Sequence, residues 1–410
     1  MKISLLLSIV SLYVFPCDSL SQVKVGADLL FEKHFHLIEG KRVALVVNHT
    51  AVLNDGRHLA DAMFENPKTK LVALFGPEHG VRGDVPDGVS VQHGVDTKTG
   101  VPAYSLYGAT NKPTAEMLKG VDVLVFDIQD VGARFYTFLS TMTLSMEAAA
   151  EHRIPFIVLD RPNPIRGTWV EGFVLEDSLR SFVGLNPVPI VHGMTVGELA
   201  TMINEEGWLK GGIKAKLTVV KMEGWKREMW YDETGLRWIS PSPNMRTLST
   251  ATVYPGMCLV EGTNISEGRG TERPFEYIGA PFVKGKELAE RMNAYRLPGV
   301  TFEPIEFTPR DIPNIAVNVK HKGNRCEGVF VNIVDRDKFE PAKTGVFLLS
   351  TLRSLYPDDF RWRERTIDLL AGTPLLRTMI DRGESPQRIV DRWKNELEQF
   401  NRLRSKYLQY

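Results

Sequence analysis

Cysteine is scarce in this chain, and neither sign of charge is in excess. Three cysteines, Cys17, Cys258 and Cys326, stand among 410 residues, which is no disulfide framework for so long a chain. Fifty basic and fifty acidic side chains cancel to a formal net charge of +0, so neither nucleic acid nor a polybasic membrane patch is indicated as a partner. Several motifs are missing as well. There is no P-loop ending in Lys-Ser or Lys-Thr, and no Gly-x-Gly-x-x-Gly after the first strand, so an open α/β sheet here need not hold a nucleotide. The lack of His-Glu-x-x-His and of paired Cys-x-x-Cys leaves zinc without support. The lack of a Gly-x-Ser-x-Gly elbow argues against an α/β-hydrolase. No metal and no cofactor are expected.

Long apolar runs are also few. The longest is residues 3–15, which follows Lys2 and leads into a polar stretch near Ser19-Leu20-Ser21-Gln22. It is too short to span a bilayer comfortably and reads as a secretory signal peptide over residues 1–22. An N-terminal core helix is the plain alternative, but no amphipathic pattern continues it. Cys17 would be a lipid-anchor position in another setting; Phe15-Pro16 before it is a poor small-residue context. The mature protein is therefore expected in the periplasm with no membrane span, its Cys258 and Cys326 paired or buried as thiols. Its length predicts two or more domains with ample core.

What the chain does have is a series of apolar runs that end in polar groups. Residues 42–47, 70–75, 121–126, 154–159, 217–222 and 257–260 read as strands. Helices are expected over 59–65, 114–118, 138–152 and 196–206, the last with Thr195 and Glu198 as a capping box. This alternation predicts a doubly wound, Rossmann-like parallel sheet. After about Thr271 strands at 300–307 and 328–335 mix with helices at 284–296, 344–356, 365–370, 374–381 and 386–407, which suggests a smaller α+β domain. The boundary is expected within 261–281, giving a sheet domain over 23–270 and a second domain over 271–410.

Parallel strands deliver their carboxyl ends to one side of a sheet, where ligands bind. At those ends stand Asn48-His49-Thr50, Pro77-Glu78-His79-Gly80, Asp127-Ile128-Gln129-Asp130 and Asp160-Arg161-Pro162-Asn163. The carboxylates Glu78, Asp127, Asp130 and Asp160, with Glu261 and Glu267 from a later Gly-rich run, make a carboxylate-rich rim. Paired carboxylates of separated pKa are the usual means of cutting a glycosidic bond. Glu78 is expected as the general acid and Asp127 as the second acidic group. The binding set is His79, Arg82, Gln129, Asp130, Arg134, Asn163, Asn264, Glu267 and Arg269, with Arg269 free to fork onto a carboxylate. Each has a plain alternative: Asp130 as the cap of the turn at Val131-Gly132, Arg269 as the ion-pair partner of Glu267 or Glu272, and the aromatics near the rim as core.

The runs LFGPEHGVRGD, VFDIQDVGARFYTF, VLDRPNP and PSPNMRTLSTATVYPGMCLVEGTNISEGRGTERPFEYIGAP, with the Arg/Trp-rich helices that follow, resemble the YbbC/NamZ-like exo-β-N-acetylmuramidases over nearly the whole chain after the leader. The resemblance implies a Rossmann-like domain and a smaller C-terminal domain with the site in the cleft between them. It implies cleavage of a non-reducing terminal N-acetylmuramic acid (MurNAc), β-1,4-linked to N-acetylglucosamine (GlcNAc), from muropeptides or other peptidoglycan fragments, and it implies that Glu78 is a catalytic carboxylate. The lactyl carboxylate of muramic acid calls for a cation, for which Arg82, Arg134 and Arg269 are candidates. Two rivals remain: a non-catalytic periplasmic protein that binds peptidoglycan fragments, and a secreted esterase or amidase, which lacks an obvious nucleophile or metal.

Overall fold

The computed structural model describes residues 22–83 and 94–410. The leader read over residues 1–22 lies, apart from Gln22, outside the described residues, as do Cys17 and Asp84.

The first half is built from alternating elements. Helix α1 (Gly26–Glu32) precedes β1 (Arg42–Val47), α2 (Leu59–Glu65), β2 (Lys70–Gly76), the short β3 (Gly94–Val95) and β4 (Pro102–Ser105). Then come β5 (Val123–Asp127), α3 (Phe138–Glu151), β6 (Phe156–Leu159), the hairpin β7 (Glu171–Val174) and β8 (Pro189–Val191), α4 (Val196–Glu205), β9 (Leu217–Val220) and α5 (Leu248–Met257). The main sheet has the order β3-β4-β2-β1-β5-β6-β9, parallel throughout except at the β3–β4 edge. The chain steps outward from β1 to β2 and β4, then restarts at β5 on the other side. The strand order thus reverses between β1 and β5.

The side-chain period of two explains why this sheet is covered on both faces. Along β1, Val43, Leu45 and Val47 join one apolar cluster with α1 and α2, while Ala44 and Val46 join another with α3 and α4. In β5, Val123 and Val125 separate from Leu124 and Phe126 in the same way.

The second half holds a three-stranded antiparallel sheet of β10 (Tyr277–Ala280), β11 (Val300–Phe307) and β12 (Cys326–Ile333), ordered β10-β12-β11. Helices α6 (Gly285–Ala294), α7 (Pro341–Leu355), α8 (Glu364–Ala371), α9 (Leu375–Asp381), α10 (Pro386–Asp391) and α11 (Lys394–Arg404) complete it. One apolar cluster runs without a break from the α3 face of the main sheet into Ile278, Leu288, Val329 and Val346. The tightest junction is at Gly256 of α5 and Gly345 of α7, where a Cβ on Gly256 would stand 2.0 Å from the Pro341 carbonyl oxygen. Only glycine lets these two backbones meet.

Three expected elements differ. Residues 257–260 are the end of α5 and the start of a 3₁₀ turn, Cys258–Gly262, and not a strand. A short apolar run suits a buried helix as well as a strand, and Thr247 caps this one by accepting from the Thr250 N–H at 3.1 Å. Residues 115–120 form turns where a helix was expected. The helix expected over 386–407 divides into α10 and α11 around Arg392 and Trp393.

Candidate functional site

Strand β2 stops at Gly76 because Pro77 has no N–H to offer the ladder. The chain then folds back on itself. Gly80 N–H donates to the Pro77 carbonyl at 2.9 Å, and a Cβ on Gly76 would stand 2.7 Å from the Val81 nitrogen. His79 takes a φ of 74° and is 2% exposed. The turn lifts Glu78 off the strand end, half-buried, with the Thr137 hydroxyl donating to its Oε2 at 3.5 Å.

Glu78 faces a cleft with two adjoining parts. The narrower, about 180 Å³, is lined by His79, Tyr107, Tyr136, Thr137, Ser242, Tyr254 and Cys258 together with Glu78, Glu261 and Arg269. The wider, about 430 Å³, shares Glu78, Glu261 and Arg269 and adds Glu267, Lys320 and Arg363. Glu78 therefore comes from the main sheet, and its opposite wall comes from the 3₁₀ turn after α5 and the loops of the second half.

That wall is a chain of alternating charge. Glu261 Oε1 accepts from Arg269 Nη2 at 3.0 Å and Nε at 3.3 Å. Arg269 Nε lies 3.7 Å from Glu267 Oε1, and Lys320 Nζ lies 2.9 Å from Glu267 Oε2. The Arg269 guanidinium also sits 5.0 Å over the Phe275 ring. Burial raises the Glu261 carboxyl above its ordinary value; Arg269 pulls against that and Glu267 adds to it. Burial acts on Glu267 too, but Lys320 and Arg269 outweigh it and hold that carboxyl low. Two neighbouring carboxylates are thus pushed apart in proton affinity, which is the condition for dividing acid and base work. Burial pushes the Cys258 thiol and the Tyr254 phenol well up, so Cys258 is protonated and inert as a nucleophile. Cys258 and Cys326 are free buried thiols, not a pair.

The structure brings together five of the residues named from sequence: Glu78, His79, Glu261, Glu267 and Arg269. It places the others elsewhere. Asp127 is the last residue of β5, 0% exposed, and both its oxygens are taken by Arg161, through Nε and through Nη2 at 2.8 Å. It does not line the cleft, so the expectation of Asp127 beside Glu78 is corrected: Arg161, two residues beyond the end of the neighbouring strand β6, brings a cation straight onto it. Arg82 is held by Asp61 at 2.7 Å and Asp96 at 2.8 Å. Arg134 is 1% exposed and donates to the carbonyls of Phe173, Val188 and Leu370. Neither guanidinium can fork onto a ligand.

Asp130 accepts from the Gly132 N–H at 2.7 Å, the turn cap of the plain alternative. Asn163 ties Met194 and Ile165, and Asn264 ties Asp359 and Arg361. Asp160 receives Thr195 Oγ1, Gly197 N–H and the Tyr410 hydroxyl at 2.6–2.7 Å, and burial pushes it up to about 6. Gln129 lines a separate cavity of about 400 Å³ with Thr50, Arg161 and Tyr231, beside the point where the strand order reverses. Lys320 and Arg363 went unremarked in the sequence. Lys320 carries no motif, and Arg363 stands in the Arg/Trp-rich run that opens the C-terminal helices. Among the described residues no group of three His, Cys, Asp or Glu is arranged to hold a metal ion, and no helix is long and apolar enough to cross a membrane.

Comparison with known proteins covers both halves. Residues 43–249 match the family model for the N-terminal part of exo-beta-N-acetylmuramidase NamZ, and residues 252–410 match the model for its C-terminal part. The chain is 51% identical over 390 residues to peptidoglycan beta-N-acetylmuramidase NamZ of Bacillus subtilis (strain 168), covering 95% of this chain and 92% of that protein. Crystal structures of two DUF1343 family proteins from Bacteroides fragilis NCTC 9343 superpose with TM-scores of 0.87 and 0.80, at 41% and 36% identity, each covering 95% of this chain and 99% of the other.

Proposed function

Because this chain belongs to the exo-β-N-acetylmuramidase NamZ family, we propose that it is an exo-acting glycoside hydrolase that releases non-reducing terminal MurNAc from peptidoglycan fragments, with Glu78 as its catalytic acid. The observation that carries the assignment is the cleft: Glu78, beyond the end of β2, and Glu261, in the 3₁₀ turn after α5, line one cavity. Glu78 protonates the glycosidic oxygen. Glu261 is the opposing carboxylate, as base toward water or as nucleophile. Arg269, bound to Glu261 and beside Glu267, orients the pair. The narrow part of the cleft supplies the closed end that an exo-acting enzyme needs to select a chain terminus. The protein acts in the periplasm, its apolar leader removed.

Glu78→Gln keeps shape and removes the proton, so turnover of the disaccharide MurNAc-GlcNAc is expected to fall by about 10²–10⁴-fold while binding survives. An aryl MurNAc glycoside with a good leaving group needs less protonation and should be largely spared in Glu78→Gln, but not in Glu261→Gln. Wild-type turnover of the disaccharide by Glu78→Gln would remove Glu78 from the mechanism.

A further inference from the structure

The wider part of the cleft is lined by three cations, Arg269, Lys320 and Arg363. Two are already committed. Arg269 is bound to Glu261 and close to Glu267. Lys320 Nζ donates to the carbonyls of Ile265 at 2.9 Å, Val260 at 3.1 Å and Glu261 at 3.4 Å, and lies against Glu267. The three shorter contacts, to Ile265, Val260 and Glu267, already take the three donors of the ammonium.

Arg363 differs. Its Nη1 reaches only the Glu261 carbonyl oxygen, at 3.4 Å, a length at which a hydrogen bond contributes little. It forms no ion pair with a carboxylate among the described residues, and it is exposed. Its backbone, by contrast, is pinned. The Arg363 N–H donates to the Gly262 carbonyl at 2.8 Å and the Asn264 N–H to the Arg361 carbonyl at 3.0 Å. The Asn264 side chain accepts from the Arg361 N–H and donates to the Asp359 carbonyl, both at 2.9 Å. The Glu-Gly-Thr-Asn turn that carries Glu261 therefore also fixes the segment that carries Arg363. An exposed guanidinium thus lines the cleft from a fixed backbone, with its fork facing no carboxylate among the described residues.

We propose that Arg363 reads the lactyl carboxylate of the substrate and so sets the preference for muramic acid over N-acetylglucosamine. The inference rests on the muramidase reading above. That carboxylate is the group by which the two sugars differ, and the only anion on the MurNAc ring. A guanidinium meets a carboxylate with two parallel N–H donors, which adds geometry to charge. Arg82, Arg134 and Arg269 are each consumed by protein acceptors, so the part falls to Arg363, the cation on the cleft that has no counter-charge among the described residues.

The test compares two substrates, the disaccharide MurNAc-GlcNAc as the free acid and the same disaccharide with its lactyl carboxyl as the methyl ester. Arg363→Ala should lower kcat/KM on the free acid by about ten- to hundredfold, mainly through KM, because the lost contact is a charge-assisted one made in ground and transition states alike. On the ester the loss should stay below about threefold, since no anion is there to read. Arg363→Lys should recover part of the loss on the acid, as it keeps the charge without the fork. Equal losses on acid and ester, or an unimpaired alanine variant on the acid, would overturn the role of Arg363 and leave the muramidase reading standing. A wild-type protein that cleaves neither disaccharide would overturn both.

Discussion

At the scale of single residues, Glu78 and Asp127 make an instructive pair. Both are carboxylates at the ends of parallel strands, β2 and β5, that flank β1, and their types alone do not separate them. Asp127 still belongs to the ladder, paired with Val47, and its place among buried strands brings Arg161 onto it. Glu78 stands beyond Pro77, out of the ladder, on a turn that faces open space. Asp127 is thus a structural anion whose loss leaves a buried guanidinium without its counter-charge. Removing one member of such a pair typically costs about 3–5 kcal/mol. Asp127→Asn should lower the urea midpoint by a corresponding amount, while the protein that remains folded keeps its turnover per active molecule. Lost turnover at unchanged stability would return Asp127 to the catalytic set.

At the scale of elements, the segment carrying Glu78 is held from two sides. Arg82 joins it to Asp61 of α2 and to Asp96, which follows β3. The Arg82 guanidinium, with the Thr99 hydroxyl and N–H, holds the Asp96 carboxyl far below its ordinary value of 3.8. A carboxyl with a depressed pKa in the folded state contributes stability above its unfolded value and loses it as pH falls through the folded one. The Arg82–Asp96 tie should therefore be at full strength at neutral pH and weaken below pH 3.8. Asp96→Asn should be less stable than wild type at pH 7, with the gap in thermal midpoint closing as pH drops below that value. A gap that stays constant from pH 7 to pH 3 would show that Asp96 acts by shape and not by charge. Elsewhere the element scale was well marked in the sequence. Thr195 and Glu198 form the capping box expected of them, and β1 has the bounds that its apolar run predicts. The strand read at 257–260 failed because a run of that length has no periodicity by which to distinguish a buried helix.

At the scale of the whole molecule, the cleft exists only because the two halves are locked together. The Gly256–Gly345 contact seats α7 against α5, and the 3₁₀ turn that carries Glu261 follows α5 directly. The C-terminal helix returns to the first half, where Arg404 Nη1 donates to the Gly167 and Gly193 carbonyls at 3.1 and 2.8 Å. A rigid seam of this kind keeps the two walls of the cleft in register. The same scale bears on where the protein works. On the periplasmic reading proposed above, the apolar run over residues 3–15 is the leader that exports the protein. Protein isolated from its native cell should begin near residue 23 and fractionate with periplasmic markers. Intact chain with Met1 in the cytoplasmic fraction would end that reading.

The sequence by itself determined the sheet, because strands buried on both faces must be written as near-continuous apolar runs and the turns that end them in Pro and Gly. It also determined that Glu78 stands beyond a strand end, since Pro77 forbids the ladder to continue. Which other charges meet Glu78 was decided only by the tertiary structure. Glu261 stands 183 positions from Glu78 in the chain and Arg363 285 positions away, and no local pattern encodes a shared cleft at such range. Arg82, Arg134, Arg269 and Arg363 are chemically alike in the sequence. Packing gives the first two carboxylates or carbonyls to hold, binds the third to Glu261, and leaves the fourth without a counter-charge among the described residues, because the cost of burying an unpaired charge is met wherever the fold encloses one and is absent where the cleft stays open to water.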